Sequence, residues 1–325
     1  MSEDSKPSRR RVIKWGGALV GATAIGGGTY VLKELRDRGY ILRTPNGPPQ
    51  PMPDHRVEFA ATLPRFVIAR GKDAAKNTLA ALERMGGMKR FVAKGDRVVV
   101  KPNIGFDLGE HYAVTTSPVV VATVVRECLA AGAREVIVSD GPVKNLDAAF
   151  DKSGIRRAAR EAGATVVTPA ERDFVNTTLP GWGTWPVLEP YVQADKIINV
   201  PIVKHHGLAG TTIGMKAWFG AIGGMRPKLH KRIDEAVAGL AEMMRPTLTV
   251  VDATRALMRN GPGGGNLDDV RSFDTVAVSV DPVAIDAWAS TLIKPRRKLG
   301  WLDLAQARGL GTRDFKSLSP VELSV

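Results

Sequence analysis

The chain has 325 residues, of which 44% are hydrophobic and 6% aromatic, with a single cysteine and a formal net charge of +13. One cysteine excludes an intrachain disulfide and a cysteine-ligated iron–sulfur cluster built by this chain alone. The basic residues are dispersed apart from Lys294-Pro-Arg-Arg-Lys298, and no aromatic-interleaved motif accompanies them, which argues against nucleic acid and for a solvated basic surface.

In chain order, residues 8–14 read Ser-Arg-Arg-Arg-Val-Ile-Lys ahead of a Gly-rich apolar stretch over 15–32. The run resembles a twin-arginine export leader. That resemblance implies the twin-arginine translocase as a partner, crossing in the folded state, and a periplasmic or extracytoplasmic address. The alternative is an N-terminal anchor, because the stretch reaches about 27 Å as a helix, just enough to span a bilayer core. Ala22-Thr23-Ala24 offers a small-residue cleavage pattern, so cleavage and retention both stay open. Loss of residues 1–32 removes five basic and two acidic side chains and leaves about +10. Residues 33–56, a charged patch followed by Thr-Pro-Asn-Gly-Pro-Pro-Gln-Pro-Met-Pro, read as a stiff extended linker.

The remaining 270 or so residues suit two joined α/β lobes, 57–175 and 176–325. Strand patterns fall at 65–70, 96–101, 135–139 and 164–168, and helical spacing at 74–88, 118–131 and 146–163. Ser117 precedes Pro118 as an N-cap, and Gly132 stops the helix. Cys128 shares a helical face with Val121, Val124, Val125 and Leu129 and reads as core. The turn-rich stretch 176–190 reads as the connection between lobes. Beyond it come strands at 196–200, 248–252 and 275–280, with helices at 232–244 and 282–293, the last capped by Asp281. The series predicts mainly parallel sheets flanked by helices, with a site in the inter-lobe cleft.

Ligands gather at the carboxyl ends of such strands. Those ends carry Lys101-Pro102-Asn103, Ser139-Asp140-Gly141-Pro142, Lys204-His205-His206 and Asp252. The densest stretch is 203–231, which holds three of the five histidines, several glycines that let backbone approach an anion, and Lys216 inside an apolar run. A buried amine is costly unless it is paired or chemically used. Asn260-Gly-Pro-Gly-Gly-Gly-Asn266 resembles a phosphate loop in composition but lacks its Lys-Ser/Thr ending, and reads as a loop at the cleft mouth.

Val-Lys-Pro-Asn-Ile (100–104), Thr-Thr-Ser-Pro (115–118), Ser-Asp-Gly-Pro (139–142), Ile-Asn-Val-Pro-Ile-Val-Lys-His (198–205), Gly-Met-Lys-Ala-Trp-Phe-Gly (214–220) and Ser-Val-Asp-Pro-Val-Ala-Ile-Asp-Ala (279–287) resemble the domain-of-unknown-function family 362. That family brings no settled activity. The chain also resembles nickel-pincer lactate racemases in one spacing: His206 is followed by Ala209-Gly210 and, ten residues on, by Lys216, with His230 fourteen beyond. This resemblance implies Lys216 as the attachment point of a covalent organic cofactor, His230 as ligand to a metal such as nickel or iron, and His206 as an acid/base group. The second acid/base histidine of those racemases has no counterpart here, where Asp140-Gly141-Pro142 stands, so Asp140 or His205 is the candidate partner. Lys101, Asn103, Thr116 and Gly141 complete the expected cofactor-binding set. Thr115 to Pro118 is expected to offer an anion site at a helix N-terminus.

The function expected is an exported, cofactor- or metal-dependent enzyme that acts on a small anionic substrate by proton transfer or redox chemistry. The alternative is a non-catalytic extracytoplasmic ligand-binding protein or assembly subunit of a membrane redox complex, using the same cleft.

Overall fold

The computed structural model describes residues 45–58, 62–143 and 145–325. The leader-like segment and the start of the linker lie outside the described residues. No described helix is long and apolar enough to cross a membrane.

The first half of the chain runs β1 (Phe66–Arg70), α1 (Ala74–Arg84), β2 (Arg97–Pro102), α2 (Pro118–Ala131), β3 (Glu135–Ser139), α3 (Leu146–Lys152), α4 (Ile155–Glu161) and β4 (Thr165–Val167). A hairpin follows, β5 (Phe174–Leu179) with β6 (Gly183–Leu188), then the turn α5 (Glu189–Val192) and β7 (Lys196–Val200), β8 (Ile202–His206) and β9 (Gly210–Thr212). The short helices α6 (Gly214–Ala217) and α7 (Arg226–His230) lead into α8 (Ile233–Met244), β10 (Leu248–Leu257), β11 (Val270–Ser279), α9 (Pro282–Ile293), α10 (Gly300–Ala307) and β12 (Val321–Ser324).

One sheet carries nearly all of the described strands, in the order β12-β1-β11-β10-β7-β2-β3-β4, with β8 and β9 branching from β10. The run from β10 to β4 is parallel, whereas β11 pairs antiparallel with both β1 and β10. Strands from both sides of residue 175 therefore interleave: β1 sits between β12 and β11, and β2 beside β7. The two stretches expected as lobes do not form separate sheets.

Alternation along the strands sorts the core into two faces. Val98, Val100, Val136, Val138, Ile198 and Val200 pack on one side against Leu82, Val121, Val124, Val125, Cys128 and Ile155. Val99, Ile137 and Ile197 point the other way, to Leu188, Tyr191, Trp218, Val237, Leu240 and Trp301. Both faces are dry, as the uninterrupted apolar strands required.

Several expectations change in detail. The helical segment 146–163 splits into α3 and α4 because Gly154 adopts φ +77°, a left-handed conformation that breaks the helix. Residues 176–190 pair as a hairpin, since Phe174, Leu179, Trp185, Val187 and Leu188 bury one face against the core. The Pro-rich stretch is extended but docked: the Asn176 amide donates to the carbonyls of Pro45 and Gly47, and the Thr177 hydroxyl donates to Gln50 O. Ser117 is the N-cap of α2 by position but not by side chain. The Asp252 carboxylate accepts its backbone N–H at 2.7 Å, so the expected anion site is already filled by a side chain of this protein.

Candidate functional site

The sheet delivers polar side chains to the carboxyl ends of β2 and β3 and along β8, and these meet at a cavity of about 360 Å³. Its lining comes from both halves of the chain and includes Asn103, Asp140, Gly141, Lys204, His206, Lys216, Arg226 and His230.

Asp140 lines the cavity, and Lys101, expected in the cofactor-binding set, lies behind it and outside the lining. Both side chains are buried, with Lys101 Nζ 2.7 Å from Asp140 Oδ1 and 2.8 Å from the Pro102 carbonyl. Asp140 Oδ2 accepts the Ile104 N–H at 2.5 Å. Burial pushes the Lys101 amine down, and Asp140 pulls it back up. Gly220 lies over this pair, and a Cβ there would collide with Asp140 Oδ1, so only glycine fits. Gly141 has no room either: its Cβ would stand 2.7 Å from the Gly220 carbonyl.

On β8, alternation puts Lys204 and His206 on the cavity side and turns His205 away. His205 is absent from the lining, and its Nδ1 accepts the Gly261 N–H at 3.1 Å, which ties the 260–266 loop to β8. It does not join the cavity cluster. Pro262 of that loop does line the cavity, so the loop sits at the mouth. Lys204 Nζ donates to Asn103 Oδ1 at 3.0 Å and to the Val114 carbonyl at 2.6 Å, and stands 5.1 Å from the Phe106 ring centre. Burial pushes its pKa down to about 7, and Lys101 depresses it further against the pull of Asp140.

Lys216 is carried by α6, whose N-terminus is pinned by Asp286: the carboxylate accepts the N–H groups of Gly214 and Met215, each at 2.9 Å. Only 5% of Lys216 is exposed. Its Nζ lies 3.6 Å from the centre of the Phe219 ring, and no hydrogen bond or ion pair from the described residues reaches it. Burial, then the charges of Lys204, Arg226 and Lys101, push it to about 7. Arg226 braces the wall by donating to the carbonyls of Gly141, Phe219 and Pro142.

The two cavity histidines hold opposite tautomers. His206 Nδ1 accepts from the backbone N–H groups of Leu208 and Ala209, each at 3.2 Å, so in the neutral ring the proton is assigned to Nε2. His230 Nδ1 lies 3.0 Å from the Arg226 carbonyl, to which it donates, leaving a lone pair on Nε2. The rings stack at 6.4 Å with an interplanar angle of 24°. Burial and the neighbouring Lys216 charge hold both neutral, with pKa values near 3 for His206 and near 4 for His230.

This donor set does not fit a protein-held metal ion. His206 spends its free lone pair on backbone, His230 offers one nitrogen, and no group of three or more His, Cys, Asp or Glu side chains with metal-binding geometry exists among the described residues. Thr116 is also outside the cavity, and its hydroxyl bridges sheet strands by donating to Val200 O and accepting from Asn103 N. Lys204, noted in the sequence only as a strand-end residue, also lines the cavity, as do Arg226 and Thr212, which the sequence did not mark; the buried Thr212 hydroxyl has no partner among the described residues. The alternation Lys204-His205-His206 was the available signal for the first of these.

Residues 98–291 match the family described as Domain of unknown function (DUF362). The chain belongs to that family. Among curated relatives, this DUF362 protein is 27% identical over 213 residues to the thylakoid-associated protein sll1697 of Synechocystis sp. (strain ATCC 27184 / PCC 6803 / Kazusa), covering 63% of this chain and 65% of that one. Among solved structures, it is similar to the lactate racemase apoprotein from Thermoanaerobacterium thermosaccharolyticum, with a TM-score of 0.41 and 12% identity over 78% of this chain and 61% of that one. A protein from Thermotoga maritima gives 0.42 and 12% over 69% and 60%. The chain thus spans less than two thirds of each of these three proteins, and no role is taken from any of them.

Proposed function

We propose that this DUF362 protein binds a small carboxylate in the cavity and moves a proton at the carbon adjacent to its carbonyl group. The observation that carries this reading is the pair of opposed tautomers in a cationic cavity. His230 Nε2 accepts a proton, while His206 Nε2–H donates a hydrogen bond to the oxygen where charge develops. Lys204 and Lys216 line the cavity with no carboxylate of their own among the described residues, since Asp140 is already neutralised by Lys101, so the cavity favours negative charge. An anionic ligand supplies it. The leader-like run at residues 8–14 supports an exported setting for this activity, and the thylakoid association that the name of the Synechocystis relative states is in keeping with it.

The test is deuterium exchange. The full chain is incubated with small 2-oxo and 2-hydroxy carboxylates in D2O, and loss of the C3–H signal of the former and the C2–H signal of the latter is followed by proton NMR. Exchange above the protein-free rate in the wild type, abolished in His230→Gln with ligand binding retained, is the expected result. Binding without exchange would leave a ligand-binding protein and defeat the enzymatic reading.

A further inference from the structure

We propose that Lys216 is a covalent nucleophile whose amine condenses with the carbonyl of a small 2-oxo carboxylate, giving an iminium that serves as the electron sink for proton removal by His230. This rests on the carboxylate reading above and names its substrate class.

Comparison of the three buried lysines singles out Lys216. Lys101 has two acceptors, Asp140 and the Pro102 carbonyl, and Lys204 has two, Asn103 and the Val114 carbonyl. Both are engaged as structural or charge-presenting groups are. Among the described residues the Lys216 amine meets the face of Phe219 and no hydrogen-bond acceptor, although Asp286 fixes the start of its helix at Gly214 and Met215 and its side chain is 5% exposed. An amine held without an acceptor has its lone pair available once it loses a proton, and the low-dielectric wall with three nearby cations favours that loss. The third N–H of Lys204 remains for the substrate carboxylate, and His206 Nε2–H for its carbonyl oxygen.

The steps balance without another reagent. The amine nitrogen attacks the carbonyl carbon, a C–N bond forms, and the C–O bond breaks as water leaves. Of the three protons of the original ammonium, two depart in that water, relayed by His230 Nε2, and one stays on the iminium nitrogen. His230 then removes a hydrogen from the carbon beside the iminium as a proton, the C–H electron pair becomes the C=C bond of an enamine, and the C=N pair moves to nitrogen. Return of the proton and addition of water release the ligand.

The experiment uses pyruvate as the probe with cyanoborohydride at pH 7, intact mass before and after, and peptide mapping of the wild-type chain. An amine near pKa 7 is about half neutral at that pH, against roughly 0.04% for an exposed lysine. The adduct is therefore expected on Lys216 at least about tenfold faster than on any other lysine, and absent in Lys216→Met. The mapping on wild type decides the matter even where the variant folds poorly. Pyruvate that binds by calorimetry but leaves the Lys216 peptide unmodified overturns the nucleophile while the carboxylate cavity stands. Absence of binding and of adduct overturns both. A covalent mass on Lys216 in the purified chain, before any probe is added, also overturns it.

Discussion

Replacing Asp140 by alanine strands Lys101. The amine loses its ion pair at 2.7 Å and keeps only the Pro102 carbonyl, in a position with no solvent exposure, and the Ile104 N–H loses its acceptor as well. Breaking a buried pair on one side costs about 3–5 kcal/mol. Relief is available only by releasing the proton, which at pH 7 costs about 5 kcal/mol for a lysine whose ordinary pKa is about 10.4. The loss is thus capped near that figure, and the cap itself depends on pH. In the variant the unfolded chain binds the Lys101 proton and the folded chain does not, so stability rises with pH, by about 1.4 kcal/mol per unit until the unfolded lysine itself titrates. Urea unfolding of wild type and Asp140→Ala at pH 7, 8 and 9 should show a deficit of about 3–5 kcal/mol that narrows steadily as pH rises. The double variant Lys101→Met/Asp140→Leu should recover most of the loss, because no uncompensated charge remains. A deficit below about 1 kcal/mol, or one independent of pH, would refute the claim that this pair is dry and mutually dependent.

Gly220→Ala pushes a methyl into Asp140 Oδ1 and should cost about 1–3 kcal/mol in thermal unfolding; an unchanged melting temperature would show that the loop yields freely. Anion binding should raise the depressed pKa values of Lys204 and Lys216, both about 7, so pyruvate or phosphate titrated at pH 7.5 should draw protons from the buffer. Calorimetry in two buffers of different ionisation enthalpy reads this uptake directly, and buffer-independent heats would contradict it. Asp286 is pushed up to about 7 by burial, against two backbone N–H groups that favour its charge. Its folded form therefore holds a proton that the unfolded chain releases near pH 3.9, and stability from this group declines as pH rises from about 4 to 7. Asp286→Asn removes that slope, so wild type should lose ground to the variant between pH 5 and pH 8, and an equal difference at both would count against the assignment.

Much of the fold was legible because its strands are continuous apolar runs and the ends of its longer helices are marked by Pro at the first turn, by Gly132 after the 118–131 helix and by Asp281 before the 282–293 helix. The 118–131 helix, the 135–139 and 196–200 strands and the 282–293 helix appear with those bounds. What local pattern could not show was long-range pairing. The pairing of β1 with β11 and β12, which puts one sheet where two lobes were expected, depends on contacts between Phe66 to Arg70 and segments more than 200 residues away. The hairpin at 174–188 was hidden by its turn-rich composition, since its strands are specified by one buried face. At the site, the spacing of His206, Lys216 and His230 marked residues that do meet in one cavity. His205 entered as a stand-in for a second acid/base histidine and Thr116 as part of a helix N-terminal anion site, but His205 Nδ1 and the Thr116 hydroxyl bond to backbone. Their exclusion follows from strand alternation in the first case and from hydrogen-bond demand in the second, neither of which a motif records.

The energetics of the cavity argue for a ligand independently of any reaction. Among the described residues three buried amines share one carboxylate, and two of the amines are held near neutral pKa by burial and mutual repulsion. A sequence under selection for stability alone would replace Lys216, which gains no hydrogen bond from the described residues and sits among apolar neighbours where a Met would fill the same space. Asp286 is likewise buried on α9 to fix the start of α6, so a second unfavourable ionisable group is maintained to hold the first in place. Such paired costs are explained when the amine is used, because a bound anion converts its desolvation penalty into attraction and a carbonyl ligand converts its unpaired nitrogen into a bond.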